Sequence, residues 1–400
     1  FTLPYLPLYL GERGLSDRTI GIISTAAALA GLLQFPVGLW SDRLGRRKPF
    51  LVAALGVLAA ATWLIRGAQG TLWLGVLVVL FAENGACRAM VESLAEAEAT
   101  ALAPPGGVGA ALGALRFWKP IGIILMALAG SWIAERYSVG AILMPLTAVQ
   151  ALAVAAALLI REHAPSAPAK TAIVIADEGR GEVPAPRGWL PRDRGLWAFL
   201  AAMVLFHVAN APGGVYLGLF LKRDLQAPER VLAYAFVVSM IAWMLVVRPG
   251  GWLADRWGRR PLLIAAWAIM ALRLAVVAVV RTPVQVVVNQ ALDGLANGLF
   301  AVLAATWVTD RLADPRRLGE AQVLVGTALV LGSALGPAVA GLLVEPLGYR
   351  RLFAFLAGLG ALATALVATM VPETLAAQSE RDRAGRIEPM ATVSDLSTTP

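Results

Sequence analysis

Apolar runs about as long as a bilayer is thick recur along this chain, and they leave few folds open to it. A helix that crosses lipid needs ~20 mostly apolar residues, because its backbone must satisfy its own hydrogen bonds there. Runs of this kind fall at 19–41, 49–66, 71–95, 108–133, 139–160, 195–221, 230–253, 261–280, 284–308, 320–344 and 350–371. These predict eleven complete spans, numbered two to twelve below. Ahead of them, Phe1–Leu10 is apolar but too short to cross. It lacks the basic lead and small-residue cleavage site of a signal peptide, so it reads as the tail of a first helix cut short. Only 15% of the residues are charged and mean hydropathy is +0.70, which points to an all-α membrane protein rather than a soluble domain.

A formal charge of +8 would suit nucleic acid if it formed a patch. Instead the basic residues gather in the short loops between spans, the distribution that insertion favours. Loops and tail on the side holding both termini carry 19 Lys and Arg and the opposite loops carry 10. The remaining five, Arg88, Arg116, Lys119, Arg248 and Arg273, fall within spans. This bias places both termini in the cytoplasm, in a multi-pass protein of the inner membrane. The single cysteine, Cys87, rules out an intrachain disulfide. With two histidines, no nucleophile triad, no Cys/His cluster and no glycine-rich phosphate loop, the chain predicts no enzyme, no metal, no cofactor and no ATP drive.

The chain also repeats itself. Gly38-Leu39-Trp40-Ser41-Asp42-Arg43-Leu44-Gly45-Arg46-Arg47 returns as Gly251-Trp252-Leu253-Ala254-Asp255-Arg256-Trp257-Gly258-Arg259-Arg260, an offset of 213. The same offset carries Pro36 to Pro249 and Asn84-Gly85 to Asn297-Gly298. A register held over tens of residues predicts two parallel six-span bundles related about the membrane normal. Applied to Gly195, the offset puts the start of span one about 18 residues before Phe1. The expected domains are a first bundle at 1–160, a Pro- and charge-rich cytoplasmic linker at 161–194, a second bundle at 195–372 and a disordered tail at 373–400.

Gly38–Lys48 resembles the Gly-x-x-x-Asp-Arg-x-Gly-Arg-Arg/Lys signature that follows the second helix of the major facilitator superfamily, and Gly251–Arg260 is its echo after span eight. The resemblance covers the chain to about Val371. It implies a twelve-helix fold around a central cavity that opens alternately to either side. It also implies that Gly38, Asp42, Arg43, Gly45 and Arg46, with Gly251, Asp255, Arg256, Gly258 and Arg259, latch the cytoplasmic side in one state and part in the other. For Arg47, Lys48 and Arg260 the plainer reading is that they fix topology. Phe1–Ile22 and Leu112–Ile124 are similar, more loosely, to the sugar-and-nucleoside-symporter-like branch, although Lys119-Pro120 stands where that branch has Gly-Ser. Gly332-x-x-x-Gly336-Pro337-x-x-x-Gly341 resembles the glycine-proline motif of drug antiporters, displaced to span eleven.

Charged groups inside a membrane are costly, so each is a candidate for function. Span four carries Glu83, Asn84, Arg88, Glu92 and Glu96, with Arg88, Glu92 and Glu96 on one face. Arg116 in span five and Glu92 sit ~11 and ~15 Å from the same membrane face, so they are expected either to meet or, for Glu92, to be neutralised by Arg88. The resemblance implies a carboxylate–guanidinium pair between these two spans in a sugar transporter of the family. Lys119 is expected to face the cavity and to favour an anionic or carbonyl-rich solute. Span ten carries Asn289, Asp293 and Asn297 at i, i+4 and i+8, with Asp293 ~14 Å deep. No basic residue follows it on that face, so an unpaired, proton-carrying carboxylate is expected, the alternative being a partner such as Arg273 in span nine. Span seven offers His207 and Asn210 before Pro212-Gly213-Gly214, a break of the kind that marks transporter sites. His207 is read either as a titrating group or as a carbonyl-bonded one. Trp118, Trp243 and Trp307 are read as solute-stacking or packing.

These readings make the chain a secondary transporter of a small organic solute, working by alternating access, coupled to protons as a symporter and functional as a monomer in the lipid bilayer. The alternatives are a proton-driven multidrug efflux antiporter and a sensor that binds without transporting. Several paired charges and amides in the cavity would favour polar-solute symport, and a mostly apolar cavity would favour drug export.

Overall fold

The computed structural model describes residues 5–44, 46–65, 87, 90–91, 94–95, 98, 108–160, 193–312 and 318–374. Among them there are helices and short 3-10 turns and no strand. The first bundle contributes α1 (Leu6–Glu12), α2 (Asp17–Ala30), α3 (Gln34–Leu44), α4 (Lys48–Leu64), α5 (Val108–Arg136) and α6 (Leu143–Leu159). The second contributes α7 (Arg194–Asn210), α8 (Pro212–Arg223), α9 (Glu229–Trp257), α10 (Arg259–Val279), α11 (Pro283–Leu312) and α12 (Leu318–Met370). Six helical stretches among the described residues are long and apolar enough to cross a membrane, and Lys48–Leu64 is a shorter apolar helix. Span four, at 71–95, lies outside the described residues apart from isolated positions.

Local chemistry sets the helix ends. Ser16 caps α2 by accepting from the Thr19 amide, and Asp193 caps α7 by accepting from Gly195 and Leu196. Pro212 has no amide proton, so α7 stops at Asn210 and α8 begins at Pro212 while the axis carries on as one span, Arg194–Arg223. Spans eleven and twelve run together in α12, which turns back at Gly348, whose φ of 74° needs a glycine. Leu245, Val279, Val284 and Leu159 stand exposed on the outside of the bundle, where lipid is the apolar solvent.

Within the second bundle, aromatic rings fill the space between helices. Phe199 stacks on Trp307 at 4.5 Å and Phe206 on Phe300 at 4.9 Å. Trp307 is fully buried and its indole N–H donates to the Pro372 carbonyl at 2.9 Å, so it packs. Lipid tails are as apolar as these side chains, so close packing and internal hydrogen bonds hold such helices together.

The two bundles meet at the face that carries the α1–α2 turn and the Gly348 bend. Asp17, at the start of α2, accepts from Arg223 Nη1 at 2.8 Å and from Tyr349 Oη at 2.7 Å. Tyr216 Oη donates to the Asp17 carbonyl at 2.9 Å. Gly21 lies against the Pro337 carbonyl and the Tyr216 hydroxyl so closely that a β-carbon has no room. One turn on, Thr25 donates to the Ala334 carbonyl at 2.6 Å. Nearer the rim, Glu135 of α5 accepts from the Arg230 amide at 3.0 Å.

The opposite face of the second bundle is tied by acids. Glu373 accepts from the amides of Arg259 and Arg260 at 2.9 and 3.0 Å, and Arg260 also donates to the Ala368 carbonyl. Glu373 and Thr374, placed in the tail by the sequence, thus belong structurally to the second bundle. Arg311 donates to Asp193 at 2.6 and 3.1 Å.

Two outcomes follow from these contacts. Gly21→Val is expected to overpack the α2–α12 contact and cost ~1–3 kcal/mol, read as a lower melting temperature of the detergent-solubilised protein. An unchanged melt would show that the bundles do not approach this closely. At the other face, the Arg311 hydrogen bonds hold the Asp193 carboxyl below its ordinary range against the opposing effect of burial, helped by the Leu196 and Gly195 amides. A depressed carboxyl stabilises the fold above the unfolded value near ~4 and loses that contribution as pH falls through its lowered folded value. Asp193→Asn is therefore expected to flatten the acid limb of the melting profile and leave a smaller pH dependence below ~4.

Candidate functional site

Where α7 gives way to α8, a cavity of about 250 Å³ opens between α7, α8, α9, α10 and α11. Its polar lining is Asn210, Ser239, Arg273, Gln290, Asp293 and Asn297, and its apolar wall includes Leu217 and Phe236. Asp293 sits ten residues into α11 from Pro283, ~15 Å along a helix rising 1.5 Å per residue. Arg273 comes from α10, which runs the other way. The Asn289 side chain donates to the Arg273 carbonyl at 3.0 Å, so the backbones are level there. Side chains lean toward their own helix N-terminus, which carries the guanidinium one turn deeper, to Asp293.

Four side chains close a ring. Arg273 Nη1 pairs with Asp293 Oδ1 at 2.8 Å and donates to Asn210 Oδ1 at 2.8 Å. Asn210 Nδ2 donates to Asn297 Oδ1 at 2.9 Å, and Asn297 Nδ2 donates to Asp293 Oδ1 at 2.9 Å. Ser239 holds the other carboxylate oxygen at 2.6 Å. The unpaired carboxylate expected at Asp293 is therefore corrected. Its counter-ion comes from the neighbouring helix, a partner that the periodicity of α11 alone does not reveal. A β-carbon on Gly213 would lie 2.6 Å from Arg273 Nη2, so the side chain missing at the start of α8 makes room for the guanidinium.

The other sequence candidates fall in three groups. His207 and Asn289 do not line the cavity. His207 is buried between Phe206 and Phe300, with Nε2 lacking a hydrogen-bond partner among the described residues, and the carbonyl-bonded alternative does not occur there at Nε2. Gly45, Glu83, Asn84, Arg88 and Glu92 lie outside the described residues, and of Gly38, Asp42, Arg116 and Lys119 the backbone alone is described. The expected meeting of Glu92 and Arg116 therefore lies outside them too.

The second copy of the repeated motif is fully described. Gly251 sits in α9 against Val302, and Gly258 turns the chain between α9 and α10 with φ of 99°. Arg259 pairs with Asp255 at 2.6 Å and with Asp310 at 3.0 Å, and Arg256 lies over the Trp252 ring at 5.4 Å. In the first copy, Arg43 and Arg46 are exposed. Ser239 and Gln290 went unmarked in the sequence, and Gly213 was marked only as part of the helix break. Ser239 and Gln290 are polar residues in apolar runs, which is the signal that would have found them.

A bundle of bilayer-length helices that buries a charged pair beside a polar cavity is the construction of a membrane transporter. The chain belongs to the MFS_1-like family, whose model matches residues 1–355. It is 27% identical over 373 residues to a Deinococcus radiodurans protein provisionally named a sugar efflux transporter, covering 89% of this chain and 90% of that one. It is 30% identical over 162 residues to a Mycobacterium tuberculosis multidrug resistance protein B homolog, where the match covers 39% of this chain and only 29% of the relative's length. In structure it is similar to a variant of the nucleoside transporter NupG, with a TM-score of 0.78 at 16% identity, covering 93% of this chain and 95% of that one. The protein is thus a multi-pass transporter of the major facilitator fold.

Removing one partner of a buried ion pair strands the other charge and costs ~3–5 kcal/mol. Arg273→Gln is expected to destabilise the protein by about that much, and Asp293→Asn in the same chain to restore most of the loss. A double-mutant cycle on detergent-solubilised protein measures this. Additive losses would show that the two groups do not interact.

Proposed function

We propose that this protein is a secondary active transporter moving a small polar organic solute by alternating access, as a proton-coupled symporter working as a monomer with both termini in the cytoplasm. The observation that carries the reading is the Arg273–Asp293 pair held among Asn210, Asn297 and Ser239 on the cavity wall. A buried pair is stable only while both charges persist. A proton arriving at Asp293 cancels the carboxylate and leaves Arg273 uncompensated, so an incoming solute can take the guanidinium. Solute and proton are then bound together and released together. The paired charges and amides favour a polar solute over an amphipathic drug. The motif Gly251–Arg259 and its first copy Gly38–Arg46 fit the role of a latch at the cytoplasmic face that parts as the halves rock.

Proton-driven efflux is the second reading, favoured by the efflux and multidrug names of the two relatives. The sign of a proton movement separates the two. With the full-length protein reconstituted cytoplasmic side inward and a pH dye in the lumen, sugars, nucleosides and cationic drugs are added outside. Symport predicts acidification by a polar solute, lost in Asp293→Asn. Alkalinisation on adding a drug would establish antiport instead. Binding without proton movement would leave a uniporter or a sensor.

A further inference from the structure

The charged lining of the cavity has an asymmetry that the ring does not use up. Among the described residues, Arg273 bonds through Nη1, to Asp293, Asn210 and the Met270 sulfur. Its Nε is buried without an acceptor among the described residues, and so is Gln290 Nε2 on the same cavity wall. Both side chains are more than nine-tenths buried, Arg273 at 3% exposure and Gln290 at 2%. Nε–H and Nη2–H of a guanidinium point the same way and form the edge that grips a carboxylate with two parallel hydrogen bonds. Burying such a donor unpaired is costly, so the empty edge calls for an acceptor.

Charge narrows the choice of acceptor. Arg273 and Asp293 are the charged residues of the described lining, and together they are neutral. Among the described residues, Arg273 from α10 is the charged group facing Asp293. α9 and α7 present Ser239 and Asn210, which do not titrate in this range. A proton on Asp293 therefore leaves one unmatched positive charge at the edge of the cavity. Beside it Gly214 presents open space, with nothing within 4 Å of where its β-carbon would be. Phe236, Leu217 and Ala235 supply an apolar wall for the rest of the solute.

We propose that the cavity takes a small organic monocarboxylate, its carboxylate seated on the Nε–Nη2 edge of Arg273 and its apolar body against Phe236, with one proton taken up on Asp293. The inference rests on the proton-coupled reading above and names its solute class. Solute anion and proton then enter as a neutral pair, which spares the membrane interior a net charge.

The test uses the full chain in detergent, with butyrate and benzoate as probes and their uncharged amides, butyramide and benzamide, as controls. Binding is read by calorimetry at pH 6 and pH 8, where both acids stay ionised. Each acid is expected to bind at least about tenfold more tightly than its amide, as loss of a charge-assisted pair requires. Linked uptake of one proton makes the affinity up to about a hundredfold higher at pH 6 than at pH 8. Arg273→Gln is expected to abolish the preference for acid over amide. Because that variant strands Asp293, Gly214→Val provides a second test, filling space that no atom occupies and blocking both acids without lowering the melting temperature. Amides binding as well as acids, no binding of either acid, or acid binding that survives Gly214→Val would each overturn the carboxylate site. Acid-selective binding that is the same at both pH values would keep that site and overturn proton coupling.

Discussion

The polar heart of the second bundle, among the described residues, is arranged around one buried guanidinium. In the interior of a membrane no water compensates a charge, so Arg273 requires a permanent counter-ion and fixed hydrogen-bond partners. Asp293 supplies the charge, Asn210 an acceptor and Asn297 a brace on the carboxylate. These groups come from α7, α10 and α11, and Ser239 adds α9. Meeting that requirement fixes how four helices lie at mid-depth. It also places the α7–α8 break opposite the pair, since the guanidinium tip needs the side-chain-free position at Gly213. The break at Pro212 thus belongs to the same arrangement as the charge it faces.

The same economy governs the ends of the bundle, with a different consequence. At the Asp17 face, one acid of the first bundle collects Arg223, Tyr349 and the Tyr216 hydroxyl from the second. At the opposite face Glu373, Asp310 and Asp193 are satisfied by Arg259, Arg260 and Arg311 of their own bundle. The first set joins the halves and the second stiffens one of them. Under the proposed alternating access, rocking one half against the other would have to break contacts of the first kind and could leave the second kind whole, which is what a rigid-body transition needs.

Much of this was legible in the sequence, and the limit has a physical form. Lipid imposes a length on every span, so hydropathy alone located the helices of the described residues. Helical periodicity put Asn289, Asp293 and Asn297 on one stripe, and Pro212 after His207 and Asn210 marked the break. What periodicity does not encode is which neighbouring helix turns its polar residue toward that stripe. Arg273 therefore appeared only as one possible partner, and Asp293 was expected to stand alone. Ser239 and Gln290 hid in apolar runs because a single polar residue there is equally compatible with a backbone-bonded role. The Asp17–Tyr349 contact, joining residues 332 apart, has no local signature at all. His207 shows the converse limit. A histidine in a membrane span draws attention, yet here two aromatic rings enclose it away from the cavity.

The pairing of Asp293 changes what kind of coupling is available. A solitary buried carboxylate can exchange protons, but nothing in its own titration tells the solute that it has done so. A carboxylate that shares its neutrality with a guanidinium is different, because adding a proton to one group alters the electrostatics at the other within hydrogen-bonding distance. The cost of stranding Arg273, ~3–5 kcal/mol for such a pair, corresponds to roughly two to four powers of ten in solute affinity. That is more than the 1–3 kcal/mol typical of coupling between separate sites. Under the proposed reading, proton and solute therefore need no relay between them. One side chain feels both, and the helix break beside it lets the solute reach it.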